Sequence, residues 1–285
     1  MSYQVISDKV ASGNVLLLRR SADRGVMSKT MQAKESVSFD EVIAGLPGVF
    51  RLAELRMNRL RSLVNIPDNA VLLDVGAAQG EYVAAYKKLG YEAVGVEPWD
   101  EARSVAARLA GYLSVPLDIR KGRAEELPYE ERTFDVVICT AVLEHVEDLE
   151  ASISEVYRVL RPGGIFWFNA ASSICPRTSE ITGFPLFGWY PDRLKIRIMN
   201  WAKINRPELV GYTENPAIQW FTPWKARRIL KKHGFREVYD RWDVSRTYSK
   251  TGARALVFKV IAGGGRMTKF IADVLRRGCN YTAVK

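Results

Sequence analysis

A chain of 285 residues with 47% hydrophobic and 26% charged residues has the composition of an ordinary globular protein, which excludes a disordered or fibrous chain. No apolar run reaches the roughly 18 residues needed to cross a bilayer. Three cysteines lie far apart without a Cys-x-x-Cys pair, so neither a disulfide framework nor a metal site is expected. In the first twenty residues a basic pair follows the apolar stretch, unlike a secretory signal, and we expect a cytoplasmic protein.

The net charge of +10 is concentrated in the C-terminal part of the chain. From Pro176 onward there are 22 Lys and Arg against 8 Asp and Glu, and five of the seven tryptophans lie there as well. Basic and aromatic residues together favour an anionic partner, such as a nucleic acid, a phosphorylated small molecule or a membrane surface. The alternative is a solvated basic face with tryptophans in the core.

Along the chain, residues 1–45 show weak periodicity, and the first helix is predicted over residues 50–64. Strands are predicted over 70–75, 93–96, 115–119, 134–139 and 165–169, and helices over 81–89, 101–110 and 149–160, the last ended by Arg-Pro-Gly-Gly. Strands that alternate with helices at this spacing indicate β-α-β units and a parallel sheet.

The regularity ends near residue 171. Residues 171–221 are rich in Pro, Gly and aromatic residues and give one predicted helix, 194–203. Thr222 and Pro223 then begin a helix that runs to His233. Two strands, 235–242 and 255–261, and a tail helix, 267–277, complete the chain. We divide it into an N-terminal arm and helix (1–66), a core (67–170), a cap (171–221) and a segment that completes the core (222–285).

The most informative segment is VLLDVGAAQG, which ends at Gly80. An apolar strand ends in Asp74 and then turns through Gly76 and Gly80 into a helix. Glycines let the backbone approach a ligand, and a helix start offers N–H groups to a carboxylate. Asp74 can accept hydrogen bonds from an ammonium, so an amino-acid ligand suits both halves of this turn. The spacing Gly-x-x-x-Gly differs from the Gly-x-Gly-x-x-Gly of dinucleotide-binding folds.

Glu97 stands at the end of the next predicted strand, about twenty residues past the glycines. A carboxylate at this position can accept hydrogen bonds from both hydroxyls of a ribose. The alternative is an exposed carboxylate in a turn, and the preceding glycine turn favours the ribose.

Six motifs follow one another along residues 71–169: DVGAAQG, Glu97, RAEELPY, FDVVIC, VLEHV and LRPGG. The ordered set resembles the class I S-adenosylmethionine-dependent methyltransferases of the type 11 group. The resemblance implies a doubly wound, Rossmann-like sheet of seven mostly parallel strands with helices on both faces. It also implies an N-terminal helical arm, a cap inserted after the fifth strand, and S-adenosylmethionine as cofactor.

The resemblance also implies a role for each matching residue. The methionine part of the cofactor would contact Asp74 and the turn residues Gly76, Ala77, Gln79 and Gly80, and the ribose would contact Glu97. Pro98 and Trp99 would flank the adenine, Ala124 and Glu125 would lie near its amine, and Cys139 and Thr140 would border the transferable methyl group. Two positions depart from the family pattern. Arg123 replaces a common aspartate, which removes that side chain from adenine recognition, and Ala78 replaces a common glycine.

Of the two histidines, His145 follows the fourth predicted strand, where the acceptor and the methyl group would meet. It is the candidate general base, and alignment of the reactants alone is the alternative. His233 is predicted to serve a helix end. In the cap, aromatic residues between Phe184 and Phe221 are predicted to form an apolar lid, with Arg177, Arg193, Lys195 and Arg197 around it. The segment 183–190 alternatively enters a membrane interface, or the cap is packed without contacting a ligand.

The resemblance thus predicts an enzyme that transfers a methyl group to a small-molecule, glycan or lipid-linked acceptor, with O-methylation favoured and peripheral membrane contact a further expectation. The competing functions are an RNA-directed methyltransferase or RNA-binding protein, a nicotinamide-dependent oxidoreductase, and a cofactor-binding scaffold without turnover. The basic C-terminal part motivates the RNA alternative, and the glycine spacing counts against the oxidoreductase.

Overall fold

A computed structural model describes residues 38–177, 180–211, 215–243, 256, 260–261, 263–276 and 278–285. Most of the predicted N-terminal arm, as well as Tyr212 of the predicted lid, lies outside these residues. The helices are α1 (Phe39–Arg61), α2 (Glu81–Lys88), α3 (Asp100–Leu113), α4 (Leu149–Val159), α5 (Asp192–Asn205), α6 (Pro223–Lys232) and α7 (Gly265–Val274). The strands are β1 (Val71–Val75), β2 (Glu92–Val96), β3 (Ile119–Arg120), β4 (Phe134–Thr140), β5 (Leu160–Ala171), β6 (Glu237–Asp240) and β7 (Gly278–Val284).

The strands form one seven-stranded sheet in the order β3-β2-β1-β4-β5-β7-β6. The pairs from β3 through β5 are parallel, and β7 runs antiparallel to both of its neighbours. The chain order reverses between β1 and β4, which is where ligands bind in open α/β sheets. The predicted fold class is therefore confirmed.

Alternate residues of each strand pack on opposite faces of the sheet. Leu73 and Val137 point into a core shared with α4 and α6, whereas Leu72 and Val136 point into a second core shared with α1 and α2. Helices thus cover both faces, as the doubly wound fold requires.

The first helix begins at Phe39, well before the predicted start. Ser38 caps it in a reciprocal pair with Glu41, and Pro47 lies within it. A proline inside a helix removes one backbone hydrogen bond, and the weak periodicity of the sequence before residue 46 gave no sign of a helix there. Val42 and Leu46 of this first half are buried, and this packing outweighs the cost of the proline.

Three predicted strands differ from the structure. The third is confined to Ile119–Arg120. The fifth begins at Leu160, so that Arg-Pro-Gly-Gly lies inside it, at an irregularity in the pairing with β4 that accommodates the proline. The predicted strand 255–261 is wrong, because its described residues Leu256, Val260 and Ile261 are helical. The last strand is β7, and a short apolar run alone does not distinguish a strand from a helix.

The cap has a small core of its own. It is built on α5 and on turns at 187–189 and 207–210, around Phe187, Met199 and Trp220. Among the described residues, no helix has the length and apolar character needed to traverse a lipid bilayer.

Gly188 provides a test of how tightly the cap is packed. A Cβ atom at this position would lie 1.8 Å from the carbonyl oxygen of Cys175, so Gly188→Ala forces two backbone segments apart. We expect a loss of about 2–3 kcal/mol in unfolding free energy, measured by urea denaturation. Gly111→Ala is the matched control, since nothing lies within 4 Å of its Cβ position and it is in a helix. An equal stability of the two variants would contradict the packing described here.

Candidate active site

The predicted cofactor residues converge at the carboxyl ends of three neighbouring strands. Asp74 of β1 pairs with Gly95 of β2 on one side and with Ile138 of β4 on the other. Glu97 directly follows β2, and Thr140 ends β4. Parallel strands bring their carboxyl ends to one edge, so these side chains share the cleft where the strand order reverses.

The two glycines of the turn are required by its geometry. Gly76 and Gly80 have φ angles of +74° and +81°, and a Cβ atom would lie 2.3 Å from Val142 at the first and 2.7 Å from Ile119 at the second. The turn therefore packs closely against its surroundings, while the first turn of α2 behind Gly80 presents backbone N–H groups toward a ligand carboxylate.

Glu97 ties this turn to the end of β2. Its buried carboxylate accepts hydrogen bonds from the N–H groups of Ala78 at 2.9 Å and Trp99 at 3.1 Å. Each carboxylate oxygen has a second lone pair, so both can also accept from a ribose. Ala78 has a φ angle of +47°, a conformation in which glycine is usual.

The turn N–H groups are used within the protein. Those of Gly76 and Ala77 donate to the carbonyl of Val96 at 2.8 and 2.9 Å. The Ala77 side chain faces the core beside Gly95. These two N–H groups are therefore already bonded within the protein, whereas the start of α2 has no side-chain cap.

Asp74 is buried at the centre of the cleft. Burial raises the pKa of its carboxyl to about 7; Arg56 opposes the rise, and Glu81 and Glu97 add to it. Arg56 comes from α1, is itself buried, donates to the hydroxyl of Tyr86 at 2.6 Å and lies 4.1 Å from the ring centroid of Trp167. The spacing of the apolar residues in the first predicted helix gives no sign that Arg56 is buried.

Of the residues predicted to lie near the adenine, Trp99 is exposed and Ala124 is buried in the core shared with Val96. Glu125 accepts from the backbone N–H of Glu147 at 2.9 Å. Arg123 forms ion pairs with Glu147 at 3.2 Å and with Glu125 at 3.9 Å. This basic residue therefore links the adenine-side loop to the loop after β4.

The loop after β4 contains buried polar groups whose hydrogen-bonding capacity is not fully satisfied. Cys139 is fully buried, which raises the pKa of its thiol well above the usual value, with further contributions from Glu144 and Asp74. Among the described residues, the Thr140 hydroxyl and the Oε2 atom of Glu144 have no hydrogen-bond partner. Burial raises the pKa of Glu144 to about 7, and Glu180 of the cap adds to the rise. Unsatisfied buried polar atoms are uncommon and point to a missing partner.

The two histidines differ in setting. His145 is half-buried and follows Glu144 in the chain. Its backbone N–H donates to the backbone carbonyl of Val142 at 2.8 Å. His233 caps the end of α6, with Nε2 2.6 Å from Glu150. This is the helix-terminal position expected for it.

The cap departs from the predicted lid. Lys195 is buried, paired with Asp192 at 2.8 Å and 4.4 Å from the ring centroid of Trp220, so its place at the rim was wrong. Lys195 lies four residues before Met199 on α5, and this spacing puts both residues on the same buried face of the helix. The backbone carbonyl of Glu144 accepts hydrogen bonds from the N–H groups of residues 218 and 219, which joins the cap to the loop after β4.

Residues 73–168 match the methyltransferase domain family. The chain carries a class I S-adenosylmethionine-dependent methyltransferase domain. A ubiquinone biosynthesis O-methyltransferase of Rhizobium etli is 34% identical over 48% of this chain and 54% of its own length. Another, from Paramagnetospirillum magneticum, is 34% identical over 52% of this chain and 59% of its own length. The chain spans about half the length of these curated relatives.

Solved structures show the same fold. An S-adenosylmethionine-dependent methyltransferase of Mesorhizobium loti has a TM-score of 0.52 at 17% identity, covering 85% of this chain and all of that one. A Haemonchus contortus phosphoethanolamine N-methyltransferase has a TM-score of 0.51 at 17% identity, and the match covers 88% of this chain and 61% of that one. The cleft offers a buried carboxylate, a tight glycine turn and a second carboxylate, and these groups suit the ammonium, the carboxylate and the ribose of S-adenosylmethionine.

The first prediction for the methyltransferase domain concerns Glu97. Glu97→Ala should weaken S-adenosylhomocysteine binding by about 2 kcal/mol in calorimetry, since it removes charge-assisted bonds to the ribose. Glu92→Ala, at the exposed start of the same strand, is the control and should bind normally. An unchanged dissociation constant in a folded Glu97→Ala variant would sink the ribose assignment.

The second prediction concerns pH. Because burial raises the pKa of Asp74 to about 7, this carboxyl is protonated below that pH and cannot pair with the cofactor ammonium. The affinity for S-adenosylhomocysteine should fall by up to about tenfold for each pH unit below 7. Asp74→Asn should flatten this dependence, whereas Asp68→Asn, at an exposed side chain, should preserve it. A wild-type affinity that is constant from pH 5 to 8 would contradict the assignment.

Proposed function

We propose that this protein transfers the methyl group of S-adenosylmethionine to a hydroxyl of a small-molecule acceptor. The observation that carries the proposal is the convergence of Asp74, the glycine turn and Glu97 beside a loop with unpartnered buried polar atoms. The first three suit the cofactor, and the polar atoms of Thr140 and Glu144 suit an acceptor that brings its own hydrogen-bonding groups.

The acceptor class follows from the relatives. Two of the relatives are named ubiquinone biosynthesis O-methyltransferases, which supports a hydroxylated aromatic ring as acceptor. A glycan or another lipid-linked acceptor is the second choice. The nicotinamide alternative is not favoured, because the matching domain is a methyltransferase domain. The RNA alternative is not favoured, because the relatives cited above are named for O-methylation in ubiquinone biosynthesis.

The chemistry is an in-line displacement at the methyl carbon that bound S-adenosylmethionine supplies. The acceptor oxygen forms a bond to that carbon as the carbon–sulfur bond breaks, and the hydroxyl proton leaves to a base. In our proposal Asp74 and Glu97 orient the cofactor, and the half-buried cleft excludes water and aligns the reacting atoms.

We propose His145 as the group that accepts the proton, with Glu144 as the second candidate. His145 stands beside Glu144 after β4, and Glu144 is buried with a free carboxylate oxygen and a pKa raised to about 7. Glu144 works as a base only when it is deprotonated, and burial raises its pKa to about 7, so turnover that depends on Glu144 should rise with pH through the neutral range.

A set of three variants tests these roles by turnover measurements. His145→Ala should lower kcat by about a hundredfold while leaving cofactor affinity nearly intact. His233→Ala removes the other histidine, at a helix end, and should leave kcat unchanged. A comparable loss in Glu144→Gln alone would assign the base to Glu144. Losses below about fivefold in both would show that positioning drives the reaction.

The membrane expectation rests on the segment 183–190. Leu186 and Trp189 of this segment are exposed, and the indole N–H of Trp189 donates to the carbonyl of Ile174 at 2.7 Å. An exposed leucine beside an anchored tryptophan suits a membrane interface, and we propose peripheral contact at this edge of the cap.

The direct test of activity is transfer of a deuterated methyl group to catechol, read by mass spectrometry.

A further inference from the structure

A cavity of about 560 Å³ lies between the start of α4 and one face of α6. Leu149 and Ile229, two buried residues of the core that these helices share, form its apolar part. The rest of the lining consists of three acidic side chains, three basic side chains and Gln219. Among the described residues that line the cavity, none is assigned to the cofactor. The volume lies in the range of pockets that bind small organic ligands.

The acidic side chains of the lining already have partners within the protein. Glu150 pairs with Lys232 at 2.8 Å, and Glu147 pairs with Arg123 at 3.2 Å. Asp148 caps α4 by accepting a hydrogen bond from a backbone N–H of its first turn. The negative charge of the cavity wall is therefore taken up by one of the three lining bases, by a base outside the cavity and by a helix end.

Lys225 and Arg228 are the two remaining bases of the lining, and their spacing of three residues puts them on one face of α6. The Lys225 ammonium donates to the side-chain carbonyl of Gln219 at 3.1 Å, which is a neutral partner. Within the described part of the chain, the ion pairs of α6 involve Arg227 and Lys232 but neither of these two residues. The cavity therefore holds two cations whose charge the wall does not compensate.

The surroundings of Lys225 are short of negative charge. Lys225 is half-buried, and burial lowers the pKa of its ammonium; Asp192 opposes the shift, whereas Lys195 and Arg228 add to it. Asp192 itself pairs with Lys195 at 2.8 Å. An anion bound between Lys225 and Arg228 would supply the missing charge in a place that is partly shielded from water.

Gln219 joins this cavity to the loop after β4. Its side chain accepts the hydrogen bond from Lys225, and its backbone N–H donates to the carbonyl of Glu144 at 3.0 Å. A ligand that binds the Lys225 ammonium therefore replaces the side chain of a residue whose backbone holds this loop. The cavity is thus connected to the proposed acceptor site and distinct from it.

We propose that the cavity between α4 and α6 binds a small phosphomonoester, whose phosphate group lies between Lys225 and Arg228. A phosphomonoester carries close to two negative charges at pH 8, which matches the charge of these two cations. Its phosphate oxygens accept charge-assisted hydrogen bonds from both side chains. Leu149 and Ile229 provide apolar surface for the organic part of the ligand. This inference goes beyond the proposed function and does not depend on which acceptor is methylated.

The test is calorimetric titration with phenyl phosphate at pH 8, with and without S-adenosylhomocysteine. The wild-type protein should bind one phenyl phosphate per chain under both conditions. The double variant Lys225→Gln/Arg228→Gln should bind it about tenfold more weakly or worse, because the charge-assisted bonds to both cations are lost. Lys231→Gln/Arg236→Gln removes the same charge from two exposed side chains outside the cavity and should bind like the wild type. Circular dichroism should show that both double variants are folded.

Three results would overturn the assignment. Equal weakening in the two double variants would show non-specific attraction of an anion to a basic protein. Competition between phenyl phosphate and S-adenosylhomocysteine would place the ligand in the cofactor cleft. The third result comes from phosphatidylglycerol vesicles, whose headgroups are phosphodiesters. If Lys225→Gln/Arg228→Gln loses vesicle binding and the wild-type protein does not bind phenyl phosphate, the two cations serve a lipid headgroup and not a soluble phosphomonoester.

Discussion

The hydrogen bonds that the Glu97 carboxylate accepts from Ala78 and Trp99 hold the cofactor cleft in shape. Together with the bonds from Gly76 and Ala77 to Val96, they fix the turn after β1 against the end of β2. That turn sets where α2 begins and holds Ala78 in a left-handed conformation that costs about 1 kcal/mol. A ribose that binds Glu97 therefore binds a group whose orientation is already determined, which lowers the entropic cost of binding.

The sequence predicts the centre of this fold well and its margins poorly. Gly76 and Gly80 are readable because a tight turn with positive φ angles favours glycine, and Thr222-Pro223 is readable because a helix start is a local event. Long-range packing decides the rest. The place between β5 and β6 is taken by β7 and not by the predicted strand 255–261, and α1 extends through Pro47 because its apolar residues find partners.

The burial of the charged residues in the site could not be predicted from the sequence for the same reason. Nothing local distinguishes Arg56 from the arginines near it on α1, yet it alone is placed between Asp74 and the aromatic rings of Tyr82 and Trp167. The excess of positive charge in the C-terminal part of the chain likewise gave no information on which cations are exposed. Lys195, Arg227 and Lys269 pair with acids inside the structure, so the charge count overstates the surface available to an anionic partner.

The central claim is that the cleft between β1, β2 and β4 recognises S-adenosylmethionine through two carboxylates and one turn. A calorimetric titration with S-adenosylhomocysteine, run beside one with NADH, tests this claim most directly. The account predicts saturable binding of one S-adenosylhomocysteine per chain and no heat of binding from NADH. A folded protein that binds NADH, or that binds neither compound, would contradict it.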